Sequence, residues 1–291
     1  MKYKEVYDFG VRLLTEAQIV EASLDARLLL EFVCHTNRND LLVHGDREVS
    51  EEEWGTYVNH IARRKIHEPL QHITGEQEFM GLTFKVNEHV LIPRQDTEVL
   101  VEEVMRNLHD GMSILDMCTG SGCILLSLMH YSNGCKGIGI DISGEAIEVA
   151  KENALNLQIP GVSFVRSDLF EGVEGRYDII VSNPPYIPTG AIPGLMEEVK
   201  EYEPIQALDG REDGLFFYDR IIETAPEYLN GGGYLFFEIG YDQAEAVTEK
   251  MKKADYNGVT VVKDFAGLDR VVYGYINNKV SAKAVERCKN V

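Results

Sequence analysis

From Ser113 to Ile276 the chain alternates short apolar runs with amphipathic stretches, and no other feature limits its fold as tightly. Ser113 to Met117, Lys136 to Ile140, Val162 to Arg166 and Tyr177 to Val181 read as strands, while Cys123 to His130 and Gly144 to Leu157 read as helices. A helix over Leu215 to Tyr228, a strand Tyr234 to Glu238, a helix Gln243 to Met251 and strands Val259 to Val262 and Arg270 to Ile276 complete the series. Strands alternating with helices predict an α/β fold with a mainly parallel, doubly wound sheet. Such a sheet holds its ligand at the carboxyl ends of its strands.

The segments at those ends carry the chemistry. After the first strand stands Asp116-Met117-Cys118-Thr119-Gly120-Ser121-Gly122, whose small residues let backbone approach a ligand at the start of a helix. The spacing departs from G-x-G-x-x-G, and the loop has no basic residue to hold a diphosphate. A nucleoside ligand lacking phosphates, such as S-adenosylmethionine, fits better than a dinucleotide, with Asp116 facing its cationic methionine part. Asp141 ends the second strand about 25 residues after Asp116, close to the spacing at which an acidic residue accepts ribose hydroxyls. Ser167-Asp168-Leu169-Phe170 follows the third strand, a polar-then-apolar set suited to the edge and face of adenine. An Asp after a strand is commonly a turn or cap residue. Three at successive strand ends argue together for a cofactor site.

The fourth strand runs into Ser182-Asn183-Pro184-Pro185-Tyr186. Two prolines remove two backbone donors and fix φ, so neither a ladder nor a helix continues there. The stiff loop offers the Asn183 amide oxygen, the Pro184 carbonyl and the ring of Tyr186 to a planar NH2 group. Such a nitrogen is a poor nucleophile, and acceptors that orient its lone pair toward a methyl group assist transfer without a strong base. Candidate acceptors are a glutamine or asparagine amide, or an exocyclic amine of adenine, cytosine or guanine.

The first 70 or so residues read as helices. Val6, Phe9, Leu13 and Leu14 form one stripe; Leu28, Leu29, Phe32 and Val33 form a second, expected to follow a cap at Ser23. Ser50 and Glu53 form a capping box for a third helix, with Arg63-Arg64-Lys65 in its last turns and Pro69 as its expected end. Glu78 to Met80 and Leu82 to Val86 read as a hairpin around Gly81. The next helix is expected to be capped by Asp96, with Arg94 just before it as either a solvated charge or a pairing group at the mouth of a site. The predicted organisation is a helical domain over 1–73, a hairpin linker over 74–92 and an α/β domain over 93–291, whose tail from Asn277 is expected to fray.

The formal charge of −20 disfavours a broad phosphate-binding surface. No apolar run approaches the roughly 20 residues of a membrane span, and the N-terminus lacks a signal core, so a cytoplasmic protein without a membrane partner is expected. Five cysteines without a C-x-x-C pair fit reduced thiols. His67 and His72 are five apart with Pro69 between them, which sets metal binding aside.

Over nearly its whole length the chain resembles the HemK/PrmC family, the peptide chain release factor N(5)-glutamine methyltransferases. The resemblance is carried by Arg63-Arg64 with Glu68-Pro69, Thr74-Gly75 with Glu78-Phe79, Leu91 to Glu98, Leu115 to Gly122 and Ser182 to Ile187. It continues through Glu203-Pro204 with Ala207-Leu208, Gly232 to Gly240 and Ala266 to Val271. Asn-Pro-Pro-Tyr alone is shared with amino-methyltransferases of DNA and RNA. The stretch ending Ile92-Pro93-Arg94 and the helical N-domain point to this family.

The resemblance implies a Rossmann-like class I S-adenosylmethionine-dependent methyltransferase domain. It implies a cofactor lying against Cys118, Thr119, Gly120, Ser121, Gly122, Asp141, Leu169 and Asn183. It also implies class I release factors as partners, with the glutamine of their Gly-Gly-Gln loop on Asn183, Pro184, Pro185 and Tyr186, and the N-domain helping to dock the factor. Cys118 departs from the usual first glycine and Gln95 from the usual proline; Cys118 is expected to hold a negative φ. A nucleic-acid amino-methyltransferase and a non-catalytic S-adenosylmethionine-binding protein are the alternatives.

Overall fold

The computed structural model describes residues 1–277, so the expected fraying of the tail lies outside the described residues. The described chain forms two compact units, Met1–Glu76 together with Met196–Tyr202, and Gln77–Leu195 together with the chain from Glu203 onward.

The first unit holds helices α1 (Tyr3–Glu16), α2 (Ala22–Val33), α3 (Arg38–Val43), α4 (Glu51–Lys65) and α5 (Leu70–Thr74). The apolar stripes of α1, α2 and α4 meet around Val6, Leu14, Leu29, Leu30, Tyr57 and Ile61. The expected capping box is present: Ser50 Oγ accepts from Glu53 N at 3.2 Å, and Glu53 Oε2 accepts from Ser50 N at 2.7 Å. Two expected signals act differently. The residue before α2 is Glu21, not Ser23, which lies inside the helix. Pro69 does not end α4, because the chain already turns at His67 with φ 64, and Pro69 opens α5 instead.

Met196–Tyr202 joins this unit through a one-turn helix, Glu197–Lys200. Arg64, buried, pairs with Asp25 Oδ2 and Glu198 Oε2, each at 2.7 Å, and Tyr202 donates to Ile66 O at 2.6 Å. An acidic residue of a distant segment thus helps satisfy a buried cation near the end of α4, a return that no local pattern announces. The leading segment of this unit runs to Glu76.

The second unit begins with a two-stranded hairpin, β1 (Glu76–Phe79) and β2 (Leu82–Lys85), followed by α6 (Gln95–Met105). Helix α6 starts at Gln95, so Asp96 lies in its first turn and caps nothing; its carboxylate instead meets Arg270 at 3.2 Å.

The main sheet contains β3 (Ser113–Met117), β4 (Lys136–Asp141), β5 (Val162–Arg166), β6 (Tyr177–Ser182), β7 (Leu229–Glu238), β8 (Asn257–Lys263) and β9 (Asp269–Tyr275). Their order is β5-β4-β3-β6-β7-β9-β8, parallel from β5 to β7 and antiparallel beyond. Helices α7 (Cys123–His130), α8 (Gly144–Asn156), α9 (Phe216–Thr224) and α10 (Ala244–Lys253) are the longer helices that flank it. The expected helix over Leu215 to Tyr228 is shorter, since Ala225–Glu227, with Pro226 in it, tightens into a 3-10 turn. Central strands are buried on both faces, as the continuous run Ile179-Ile180-Val181 requires. At the amino edge Asp178 accepts from Ser113 N at 2.8 Å and from Asn230 Nδ2 at 2.7 Å, which aligns β3, β6 and β7.

Candidate active site

Parallel register brings the singled-out residues to one edge. Met117 pairs with Ile140 and with Ser182, and Ser182 Oγ donates to Met117 O at 2.9 Å, so Asn183 leaves β6 beside the loop that follows β3. A cavity of about 610 Å³ opens here, lined by Cys118–Ser121, Asp141, Asp168, Leu169, Asn183, Pro185 and Arg94, with Phe216 and Phe217 from α9.

The loop after β3 is held from several sides. Thr119 N donates to Ile140 O at 2.9 Å, Gly120 N to Asp141 Oδ2 at 3.0 Å, and Asn153 Nδ2 to Ser121 O at 2.9 Å. These bonds over-determine the backbone, and Cys118 takes φ 58. The expected negative φ is therefore wrong: the loop keeps a left-handed geometry and imposes it on a residue that pays about 1–2 kcal/mol for it. Leu169, on the same cavity, also has positive φ, 47; the hydroxyl of Ser167 fixes it by donating to Leu169 O and accepting from Gly172 N, both at 2.8 Å.

Asp116 does not face the cavity. It is fully buried beneath the loop, where Oδ2 accepts from Thr119 Oγ1 at 2.5 Å and desolvation pushes its pKa up to about 7. Gly122 is also a packing position: a Cβ there would meet Ala150, Leu126 and Phe164 within 3.4 Å. Asp141 does line the cavity. Burial raises its pKa, while bonds from Ser143 N and Gly120 N pull the other way.

The cavity's arginines are all occupied. Arg94 places one guanidinium nitrogen 2.6 and 2.7 Å from the two oxygens of Glu203, Arg220 meets Asp168 at 3.2 Å, and Arg211 meets Asp209 at 3.6 Å. A site whose cations are already neutralised suits a ligand without phosphates. An acidic wall at Asp141, apolar surface at Leu169, Phe216 and Phe217, and open backbone at Gly120, where a Cβ would meet nothing within 4 Å, fit a nucleoside with a cationic tail.

Asn183 is half-buried and lines the cavity, and its Nδ2 donates to Thr97 Oγ1 at 3.5 Å. Pro184 is buried and Tyr186 turns its ring into the second hydrophobic cluster; neither lines the cavity. Tyr186 is fixed at both ends. Its hydroxyl donates to Glu238 Oε1 at 3.3 Å, and its carbonyl accepts from Gln243 Nε2 at 2.9 Å. Sequence reasoning gave no site role to Thr97, Glu203, Glu238 or Gln243, although the first three fall in stretches that carry the resemblance; Glu238 also closes the apolar run Tyr234 to Phe237, as Asp116 and Asp141 sit at the ends of their strands.

Comparisons with known proteins agree with this geometry. Residues 5–75 match the family model described as the PrmC N-terminal domain, and residues 108–282 match a methyltransferase domain. A release factor glutamine methyltransferase of Geobacter sulfurreducens is 42% identical over 94% of this chain and 96% of its own length. One from Caulobacter vibrioides is 41% identical over 91% and 93%. Among solved structures, a methyltransferase from Pyrococcus furiosus shares the fold at TM-score 0.51 and 21% identity, covering 68% of this chain and 90% of its own. Extended identity to these relatives, together with both domain matches, shows that the chain belongs to the release factor glutamine methyltransferase family.

Proposed function

We propose that the chain transfers a methyl group from S-adenosylmethionine to the side-chain amide nitrogen of the glutamine in the Gly-Gly-Gln motif of class I peptide chain release factors. The observation that carries this reading is Asn183, which lines the cavity with its amide nitrogen on Thr97, so that Oδ1 would be the atom to accept from a planar NH2 group. Relatives at about 40% identity over most of the chain bear the matching name.

S-adenosylmethionine supplies an electrophilic methyl group when bound. Asp141 would hold its ribose, Asp168 and Leu169 its adenine, and the Cys118–Ser121 backbone its tail. Asp116 acts from below, through Thr119, by setting the loop. Asn183 Oδ1 would accept an amide proton of the substrate, turning the nitrogen lone pair toward the methyl and favouring the positive charge that develops there, whereas the Pro184 carbonyl, expected to accept the other proton, belongs to a buried residue off the cavity lining. That nitrogen then loses a proton to water, so no strong base is required. Pro185 and Arg94, the latter tied to Glu203, would line the slot, while Tyr186, off the cavity wall, would hold the course of the loop. Residues 1–73 would help to dock the factor, and the protein would act in the cytoplasm with its substrate.

The test is incubation with labelled S-adenosylmethionine and a release factor, followed by mass-spectrometric mapping. Label is expected on the Gly-Gly-Gln glutamine and to vanish when that glutamine is replaced. Label that persists after the replacement, or that nuclease removes, overturns the reading.

A further inference from the structure

Gln243 immediately precedes α10, and its main chain is pinned on both sides: its N–H donates to Gly240 O at 2.9 Å and its carbonyl accepts from Val247 N at 3.0 Å. The residue is 8% exposed, so its side chain leaves a rigid base into packed surroundings. Oε1 accepts from Gly240 N at 2.9 Å, and Nε2 donates to Tyr186 O at 2.9 Å and to Gly214 O at 3.4 Å. A backbone N–H can only donate and a carbonyl can only accept, so the amide has a single orientation here. One side chain thus joins the turn after β7, the loop before α9 and the end of the Ser182–Tyr186 segment.

The bond to Tyr186 acts on a peptide that is held from its other side as well. Tyr186 O and Ile187 N belong to one planar unit. Ile187 N donates to Leu208 O at 3.0 Å, while Gln243 grips the carbonyl. Upstream, Pro184 and Pro185 have fixed φ, and Ser182 Oγ is tied to Met117 O at 2.9 Å. Asn183 therefore stands on a short, stiff arm with an anchor at each end. A tilt of the far peptide meets few free torsions before it reaches Asn183.

We infer that Gln243 is a positioning residue for methyl transfer: by clamping the Tyr186 carbonyl it fixes where the Asn183 amide stands in the cavity. This inference rests on the proposed amide-methylating role of Asn183. The other acceptor, Gly214 O, lies two residues before Phe216, which lines the same cavity with Phe217. The one amide therefore ties the arm that would present the methyl acceptor to the element that would wall in the donor. Space and chemistry both restrict the position. A Cβ on Gly214 would stand 2.6 Å from Nε2 and 2.3 Å from Tyr186 O, and one on Gly240 2.9 Å from Oε1. Glutamate would keep the acceptor that Gly240 N needs but set an oxygen against the two carbonyls, and methionine would fill a similar length with no donor at all.

The experiment compares the full chain with Gln243→Glu, Gln243→Met, Gly214→Ala and Tyr256→Phe, using S-adenosylmethionine and a release factor. Tyr256→Phe is the control, since it removes a buried hydrogen bond to Ile222 O, 3.2 Å long, at the opposite end of α10. Each variant is read for kcat, KM, cofactor affinity by calorimetry and melting temperature. Gln243→Met should lower kcat about ten-fold and Gln243→Glu, whose oxygen repels the carbonyl, about 100-fold, with KM and cofactor affinity within about three-fold. Gln243→Met carries the comparison if the buried charge of Gln243→Glu unfolds the chain. Gly214→Ala displaces the same carbonyl, so together with Gln243→Met it should cost less than the product of the two single losses. Tyr256→Phe should melt lower than wild type with kcat unchanged. The inference is overturned by Gln243→Met with kcat within about three-fold of wild type, by losses that multiply in full, by cofactor affinity falling as far as kcat, or by a kcat loss in Tyr256→Phe to match its melting temperature. Failure of the wild-type chain to methylate glutamine at all would instead remove the functional reading beneath it.

Discussion

At Cys118 the backbone holds φ 58 although the side chain has a Cβ, so the loop's hydrogen bonds outweigh the residue's own preference. Substitutions there should rank by tolerance of the left-handed region. Cys118→Gly is expected to melt at or above the wild type and Cys118→Val below it, with about 2 kcal/mol between the two. Calorimetric melting settles the order, and a Gly variant less stable than the Val variant would contradict it. Asp116 makes a separate forecast. Its pKa rises from 3.8 to about 7 on burial, so the folded protein keeps a proton that the unfolded chain releases. Its contribution to stability is complete below about 4 and is lost as pH rises through about 7. Asp116→Asn should therefore be about 1–3 kcal/mol more stable than wild type at pH 8, the gap closing toward pH 4 in urea titrations. Neither effect was legible in the sequence. Residue type told that position 118 departs from glycine and that position 116 is acidic. It could not tell that flanking bonds would force φ positive at one, or that Thr119 would fold over the other.

Strand ends were the legible elements, because a parallel strand buried on both faces advertises itself as a continuous apolar run and its ligand edge follows from direction. The chain thus disclosed that Cys118–Gly122, Asp141, Asp168 and Asn183 share one edge. What covers that edge came from loops with no periodicity. Gly210 and Gly214 lie against the backbone of Tyr186, where a Cβ on Gly210 would stand 2.8 Å from its Cα and C, and one on Gly214 2.3 Å from its O. Backbone has nowhere to yield, so Gly210→Ala should push Tyr186 and reduce kcat about ten-fold or more while leaving cofactor affinity within about three-fold. Steady-state kinetics beside calorimetric titration checks this, and an unchanged kcat would show that the second loop plays no part in seating Tyr186. Asp96 illustrates the reverse error. An acidic residue near a helix start suggested a cap, whereas its partner, Arg270, lies far along the chain.

For the whole molecule, Arg64 shows how a unit defined by sequence neighbours can depend on residues far from them. Its guanidinium, about 8% exposed, is shared between Asp25 and Glu198. Arg64→Ala leaves Asp25 buried without its counter-charge, and about 3–5 kcal/mol of stability should go with it. Denaturant unfolding measures the loss, and limited proteolysis should show faster cleavage within 196–202. A variant as stable and as resistant as wild type would mean that the buried pair is dispensable. The same arrangement has a consequence for how the protein is made. A chain leaves the ribosome from its amino end, and domains usually fold as they emerge. Here α1 to α5 come out well before Glu198 and Tyr202, which follow only after β3, β4, β5 and β6. The nascent helices must wait with Arg64 half-matched, and this helical unit is completed only once the first four strands of the large sheet have been made.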